Sequence, residues 1–106
     1  MVVNDLRSAL EVLKQMDGQL VETDIEVDPE AELAGVYRHV GAGGTVMRPT
    51  KIDGPAMIFN NIKNHKDARV VIGLLASRER VARLMGCEKE ELGKLLCRAA
   101  LNPIEP

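Results

Sequence analysis

At 106 residues the chain has the length of one domain. A domain this small removes only about 60 to 70 % of its unfolded surface from water, so it holds one modest core. Hydrophobic residues make up 45 % and charged residues 28 %, an ordinary soluble composition, but Trp is absent and Tyr37 and Phe59 are the whole aromatic complement. Stacking platforms for single-stranded nucleic acid are therefore lacking, and a net charge of −2 argues equally against a phosphate-backbone partner. No apolar stretch approaches the ~18 residues of a membrane span and no signal peptide is visible, so the expected partners include neither nucleic acid nor membrane and the expected compartment is the cytoplasm.

The first helix starts at Asn4 or Asp5, either of which can cap it, and carries Leu6, Leu10 and Leu13 inward until Asp17-Gly18 stops it. Leu20 to Val27 alternates, with Val21, Thr23, Ile25 and Val27 on one face and Glu22, Asp24 and Glu26 on the other, which predicts a strand with one wet side. Asp28-Pro29 predicts the start of a second helix bearing Leu33, Val36, Tyr37 and Val40 at helical spacing, with Gly41 as its left-handed C-terminal cap. A loop rich in glycine and proline follows over 41–55, with room for a short strand around Thr45 to Met47.

Ala56 to Phe59 and Arg69 to Leu75 are nearly continuous apolar runs, as expected of strands covered on both faces. Ser77 caps the next helix, with Val81, Leu84 and Met85 inward and Gly86 at its end; the last spans Glu88 to Leu101 with a stripe of Leu92, Leu95, Leu96 and Ala99, ended by Asn102-Pro103. The order αβαββαα predicts an α/β sandwich, a small mixed sheet packed with helices, over residues 1–101, and residues 102–106 read as the start of a linker. Cys87 and Cys97, ten positions apart in one helical region, would lie about 15 Å apart along it, too far for a disulfide.

Few constellations carry chemistry. Gly41 to Val46 partly mimics a dinucleotide-binding turn, but Val46 stands at the third glycine and the run follows a helix rather than a strand, so a helix end with a turn is the simpler reading. His39 and His65 have no second ligand at metal spacing, and neither cysteine belongs to a CxxC pair. In SRER at 77–80, Arg78 and Arg80 fall in the first turn of a helix, where the macrodipole disfavours cations by about 0.3 to 1 kcal/mol each. Two readings compete: the guanidinium groups meet an acidic surface or anion, or they are solvated. Asn60-Asn61 can bond within a turn or to a neighbouring domain.

DLRSALEVL at 5–13, ETDIEVDPEAELAGVYRHVGAGGTVMRPT at 22–50, GPAMIFNNIK at 54–63 and ASRERVARLMG at 76–86 together resemble the N-terminal domain of the UbiD-type aromatic acid decarboxylases. ELAGVYRHVGAGGTV is closer to the branch that acts on hydroxybenzoates such as protocatechuate and gallate. The resemblance implies a non-oxidative carboxy-lyase that uses prenylated FMN, a divalent metal (Mn or Mg) and potassium, whose catalytic and cofactor-binding groups lie in a later flavin-binding domain. No catalytic, cofactor or metal residue carries over to this chain, which is expected to be inactive alone. Arg48, Asn60, Asn61, Arg78 and Arg80 are the expected contacts to the absent flavin domain, and a homo-oligomer is expected. A chain that stops in NPIEP is expected to be a piece of that enzyme; the alternative is a free-standing assembly module without catalysis.

Overall fold

The computed structural model describes residues 2–44 and 53–106. Helix α1 (Leu6–Lys14) is capped by Asp5, whose carboxylate accepts from the Ser8 N–H at 2.8 Å while the Ser8 hydroxyl accepts from the Asp5 N–H at 3.1 Å, a reciprocal capping box. Its buried line is Ala9, Val12 and Leu13, whereas Leu6 stays exposed. The expected stripe is thus rotated, and α1 packs on α3 (Arg78–Leu84).

Strand β1 (Leu20–Thr23) pairs parallel with β2 (Ala56–Phe59), which pairs antiparallel with β3 (Val70–Ile72), so a mixed sheet runs in the order β1-β2-β3. The parallel pair is joined through α2 (Glu32–Gly41), the crossover that a parallel neighbour requires. Only β2 fulfils the expectation of cover on both faces: Met57 and Phe59 enter the core with Val27, Leu33 and Ile62, and Ala56 and Ile58 on the other face are buried too. The expected strand from Leu20 to Val27 ends at Thr23, with Val27 reduced to a single bridge to Ile62. Val21 in the edge strand β1 and Ile25 beyond it are exposed, as are Glu22, Asp24 and Glu26, so the covered face that alternation predicts is not formed at these positions.

Asp28-Pro29 forms a turn rather than the helix start. The Asp28 carboxylate accepts from the Glu30 N–H at 2.9 Å, and α2 begins three residues later, after Ala31 takes a φ of 68°. Gly41 is not left-handed either; it is the last helical residue, and the left-handed position falls on Gly43 with a φ of 88°. Gly41 is needed for closeness, since a Cβ there would strike the Tyr37 ring. The possible strand at Thr45 to Met47 lies outside the described residues.

Helix α3 has Ser77 as its N-cap, as expected, accepting from the Arg80 N–H at 3.4 Å. The last helix divides: Lys89–Glu91 is a 3₁₀ turn, and α4 runs from Leu92 to Leu101. Cys87 falls between α3 and that turn, so the two cysteines do not share a helix, and both are free thiols.

Candidate functional site: an arginine node and two faces of the last helix

Arg80 is 0 % exposed. Its guanidinium group is the meeting point of four chain segments. Nη1 donates to Gln19 Oε1 at 2.8 Å and to the Gly54 carbonyl at 2.6 Å, Nη2 to the Gly73 carbonyl at 2.7 Å, and Nε to the Leu74 carbonyl at 3.3 Å. The planar fork of arginine can serve this many acceptors at once; the single ammonium of lysine cannot. Burial pushes the guanidinium pKa down, and Tyr37 and Asp53 oppose that shift, but an arginine keeps its charge at any pH where a protein folds.

The glycines around the node have one cause. A Cβ on Gly73, which has a φ of 77°, or on Gly41 would strike the Tyr37 ring, and a Cβ on Gly54 would occupy the place of the Gly41 carbonyl. Tyr37 therefore lies against bare backbone on two sides, and the carbonyls of Gly54 and Gly73 are free to turn toward Arg80. This settles the physical question raised by a cation in the first turn of α3: acceptor dipoles, not solvent, offset the unfavourable end of the helix. Arg80 is accordingly an internal cross-link, and no guanidinium nitrogen of it is presented outward. The expectation that it reaches another domain is corrected on that geometry.

Asn60 and Asn61 stand at the carboxyl end of β2, next to the end of β1. Asn60 Nδ2 donates to Asp24 Oδ1 at 2.9 Å, and its Oδ1 accepts from Arg69 Nε at 2.7 Å; Arg69 in turn pairs with Glu22 at 3.0 Å. Asn61 Nδ2 donates to the Asp24 carbonyl at 3.2 Å, and its Oδ1 accepts from Lys66 Nζ at 2.6 Å, while Lys66 also pairs with Glu26. These bonds span up to 47 residues of sequence. The two amides tie the chain leaving β1 to the turn before β3, a longer reach than a local turn.

Arg78 opens α3 at the surface and, with Glu90, Glu91, Lys94, Cys97 and Arg98, lines a groove of about 720 Å³ beside α4 that carries charges of both signs. The other side of α4 differs in chemistry: Leu95, Leu96 and Ala99 face Leu84, Met85 and the N-terminal Val2 and Val3 across a groove of about 460 Å³. Arg48 lies outside the described residues. The structure therefore brings Asn60 and Asn61 into one network, places Arg78 on a separate face, and buries Arg80 in a third place. Among the described residues no group of three or more His, Cys, Asp or Glu side chains is placed to hold a metal ion.

A family model described as the N-terminal domain of 3-octaprenyl-4-hydroxybenzoate carboxy-lyase matches residues 11–100. The chain belongs to this UbiD family. Among curated proteins it is 52 % identical over 102 residues to the gallate decarboxylase of Lactiplantibacillus plantarum, covering 96 % of this chain and 21 % of that protein. Among solved structures it superposes on a 3,4-dihydroxybenzoic acid decarboxylase of Klebsiella pneumoniae with a TM-score of 0.86 at 55 % identity, over 98 % of this chain and 21 % of that one. The corresponding enzyme of Enterobacter cloacae gives a TM-score of 0.87 at 52 % identity, over 100 % and 22 %. The chain thus spans about a fifth of the length of its UbiD-family relatives.

Sequence reasoning marked Arg80 but missed Gln19, Gly54 and Gly73 as its partners. Gly54 stood in the expected loop and Gly73 within an expected strand, and nothing in the one-dimensional pattern says that their carbonyls converge. Asp24, the acceptor of both asparagine side chains, carried no signal beyond alternation.

Proposed function

We propose that this chain is the accessory N-terminal domain of a non-oxidative hydroxybenzoate carboxy-lyase of the gallate or protocatechuate type, over residues 1–101, with residues 102–106 leading into a flavin-binding domain. The observation that carries this is 52 to 55 % identity, over nearly the whole chain, to gallate and 3,4-dihydroxybenzoic acid decarboxylases. At that identity the domain is the same structural part in each enzyme, and a shared substrate class is the simplest extension.

Loss of CO₂ from an arene carboxylate leaves an electron pair on the ring, and ordinary side chains offer it no adequate sink. Prenylated FMN, with a divalent metal and potassium, supplies that sink when bound by the enzyme. This chain's own residues hold no part of it in the proposal. Their role is to present a rigid α/β unit, clamped by Arg80, to the flavin-binding domain, with Asn60, Asn61 and Arg48 as polar contacts. The enzyme assembles as a homo-oligomer in the cytoplasm, consistent with two free thiols and with the absence, among the described residues, of a helix long and apolar enough to cross a membrane.

The test is a substrate panel on the whole enzyme produced with its flavin. Gallate and protocatechuate should lose CO₂ fastest, giving pyrogallol and catechol. Turnover confined to vanillate, or to substrates without adjacent ring hydroxyls, contradicts the substrate class.

A further inference from the structure

The apolar side of α4 is unfinished within this chain. A helix of this length draws its stability from burying one face, yet α4 buries only Leu92. Leu96 is 46 % exposed and Met85, just past α3, is 49 % exposed. With Leu84, Leu95 and Ala99 they line an open groove that has no charged residue in its walls. The chain is also loosely gathered: its radius of gyration is 15.6 Å, where a packed domain of this length has about 13 Å. An apolar trough of this kind marks a contact surface.

We propose that this groove, rather than the cationic side of α4, is the seam against the rest of the carboxy-lyase, and that its occupant is an apolar segment of the flavin-binding portion of the same polypeptide. The inference rests on the functional reading above. Length favours this occupant over a second copy: the chain is 21 % of the gallate decarboxylase it matches, and the family is by description an N-terminal domain, so most of such an enzyme follows it. Ala99 lines the groove three residues before α4 ends its last turn at Asn102. Polypeptide continuing from α4 is therefore tethered beside the groove at an effective concentration on the order of millimolar, which a separate copy at ordinary concentrations does not match. The groove on the other side differs in carrying charged side chains, Arg78, Lys94 and Arg98 interleaved with Glu90 and Glu91, which water can serve and an apolar partner segment would have to strip of it.

Residues 96 and 97 are neighbours on α4 that fall on its two sides, and each is exposed in this domain. The whole enzyme is labelled with a small maleimide in two forms: Cys87→Ser, which reports the native Cys97, and Leu96→Cys with Cys87→Ser and Cys97→Ser, which reports the apolar side. Labelling at position 96 should be at least tenfold slower than at Cys97. Equal rates, or the reverse order, overturn the proposal. Protection at position 96 that disappears on dilution of the enzyme identifies a second copy as the occupant and overturns it too. Decarboxylation of gallate and protocatechuate by the same samples separates the two claims: an enzyme inactive on both, yet protected at 96, refutes the substrate reading and leaves the seam, whereas an active enzyme with equal rates refutes the seam alone.

Discussion

Arg80→Ala removes the donor shared by Gln19, Gly54, Gly73 and Leu74 without touching the surface of the domain. Two effects oppose one another. Taking a guanidinium out of a dry site relieves a desolvation penalty of several kcal/mol, but each buried acceptor left without a donor costs about 1 to 3 kcal/mol. With three backbone carbonyls and one amide oxygen orphaned, and a large side-chain volume emptied between α3 and the sheet, the second effect wins. The expected net loss is about 3 to 5 kcal/mol, the range for breaking a buried charged network from one side. That is a large share of the roughly 5 to 15 kcal/mol that holds a domain together, and it corresponds to a fall in Tm of roughly 15 to 30 °C.

Urea unfolding followed by far-UV circular dichroism reads this directly, since the chain has no Trp. Arg80→Lys keeps the charge but offers one nitrogen to four acceptors, so it should recover less than half of the loss. Arg80→Met fills the space without any donor and should fall close to Arg80→Ala. If Arg80→Ala unfolds within about 1 kcal/mol of the parent, or if Arg80→Met is as stable as the parent, the carbonyl partners are served by water and the node is not a clamp.

Gly73→Ala should destabilise by about 2 to 4 kcal/mol, adding a left-handed backbone penalty to a collision with Tyr37, whereas Gly93→Ala, with open space at its Cβ in an exposed stretch of helix, should stabilise by up to about 1 kcal/mol; equal urea midpoints for the pair refute the packing argument. Asp5 and Glu26 both titrate below the ordinary carboxylate value, Asp5 through hydrogen bonds from Ser8 and Glu26 through its bond to Lys66. Their folded values lie under their unfolded ones, so the stability they lend is present above about pH 4 and is lost as pH falls through the folded values; Asp5→Asn should flatten the acid limb of a stability-against-pH curve, and an unchanged limb would count against the cap. The 106-residue chain by itself, with its apolar groove bare, should sediment as a dimer or larger species, and Leu96→Glu should return it to a monomer; a monomer at high concentration before substitution argues against an exposed seam.

Much of the fold was legible because local signals and tertiary demands agree. Ser77 and Asp5 cap their helices, Ala56 to Phe59 is a strand buried on both faces, and the element order is as the pattern predicts. The failures have physical causes. Alternation from Val21 to Val27 describes a pleated strand, but β1 ends at Thr23, and both Val21 at the sheet edge and Ile25 beyond the strand stay exposed. Asp28-Pro29 has the chemistry of a helix start and of a turn, and only the bond that the Glu30 N–H donates to the Asp28 carboxylate decides between them. Gly41 and Gly43 are both suited to a helix end, and which one is left-handed depends on where Tyr37 lies.

The candidate site was less legible than the fold. Arg78 and Arg80 are two residues apart and chemically alike, yet one is exposed beside α4 and the other is sealed inside. Helical periodicity distinguishes their faces but not which face meets three backbone carbonyls and a glutamine side chain. The uncovered stripe of α4 has the same sequence pattern as a stripe packed within its own domain, since a hydrophobic face announces that it needs cover and not where the cover comes from.

Supplying protocatechuate to the purified 106-residue polypeptide and measuring catechol is the most direct test of the central claim, that this domain supports a carboxy-lyase without taking part in its chemistry. No catechol above the uncatalysed background is the predicted result, with turnover appearing only in the whole flavin-loaded enzyme. Catechol formed by the chain alone, free of flavin and of any companion, would contradict the account.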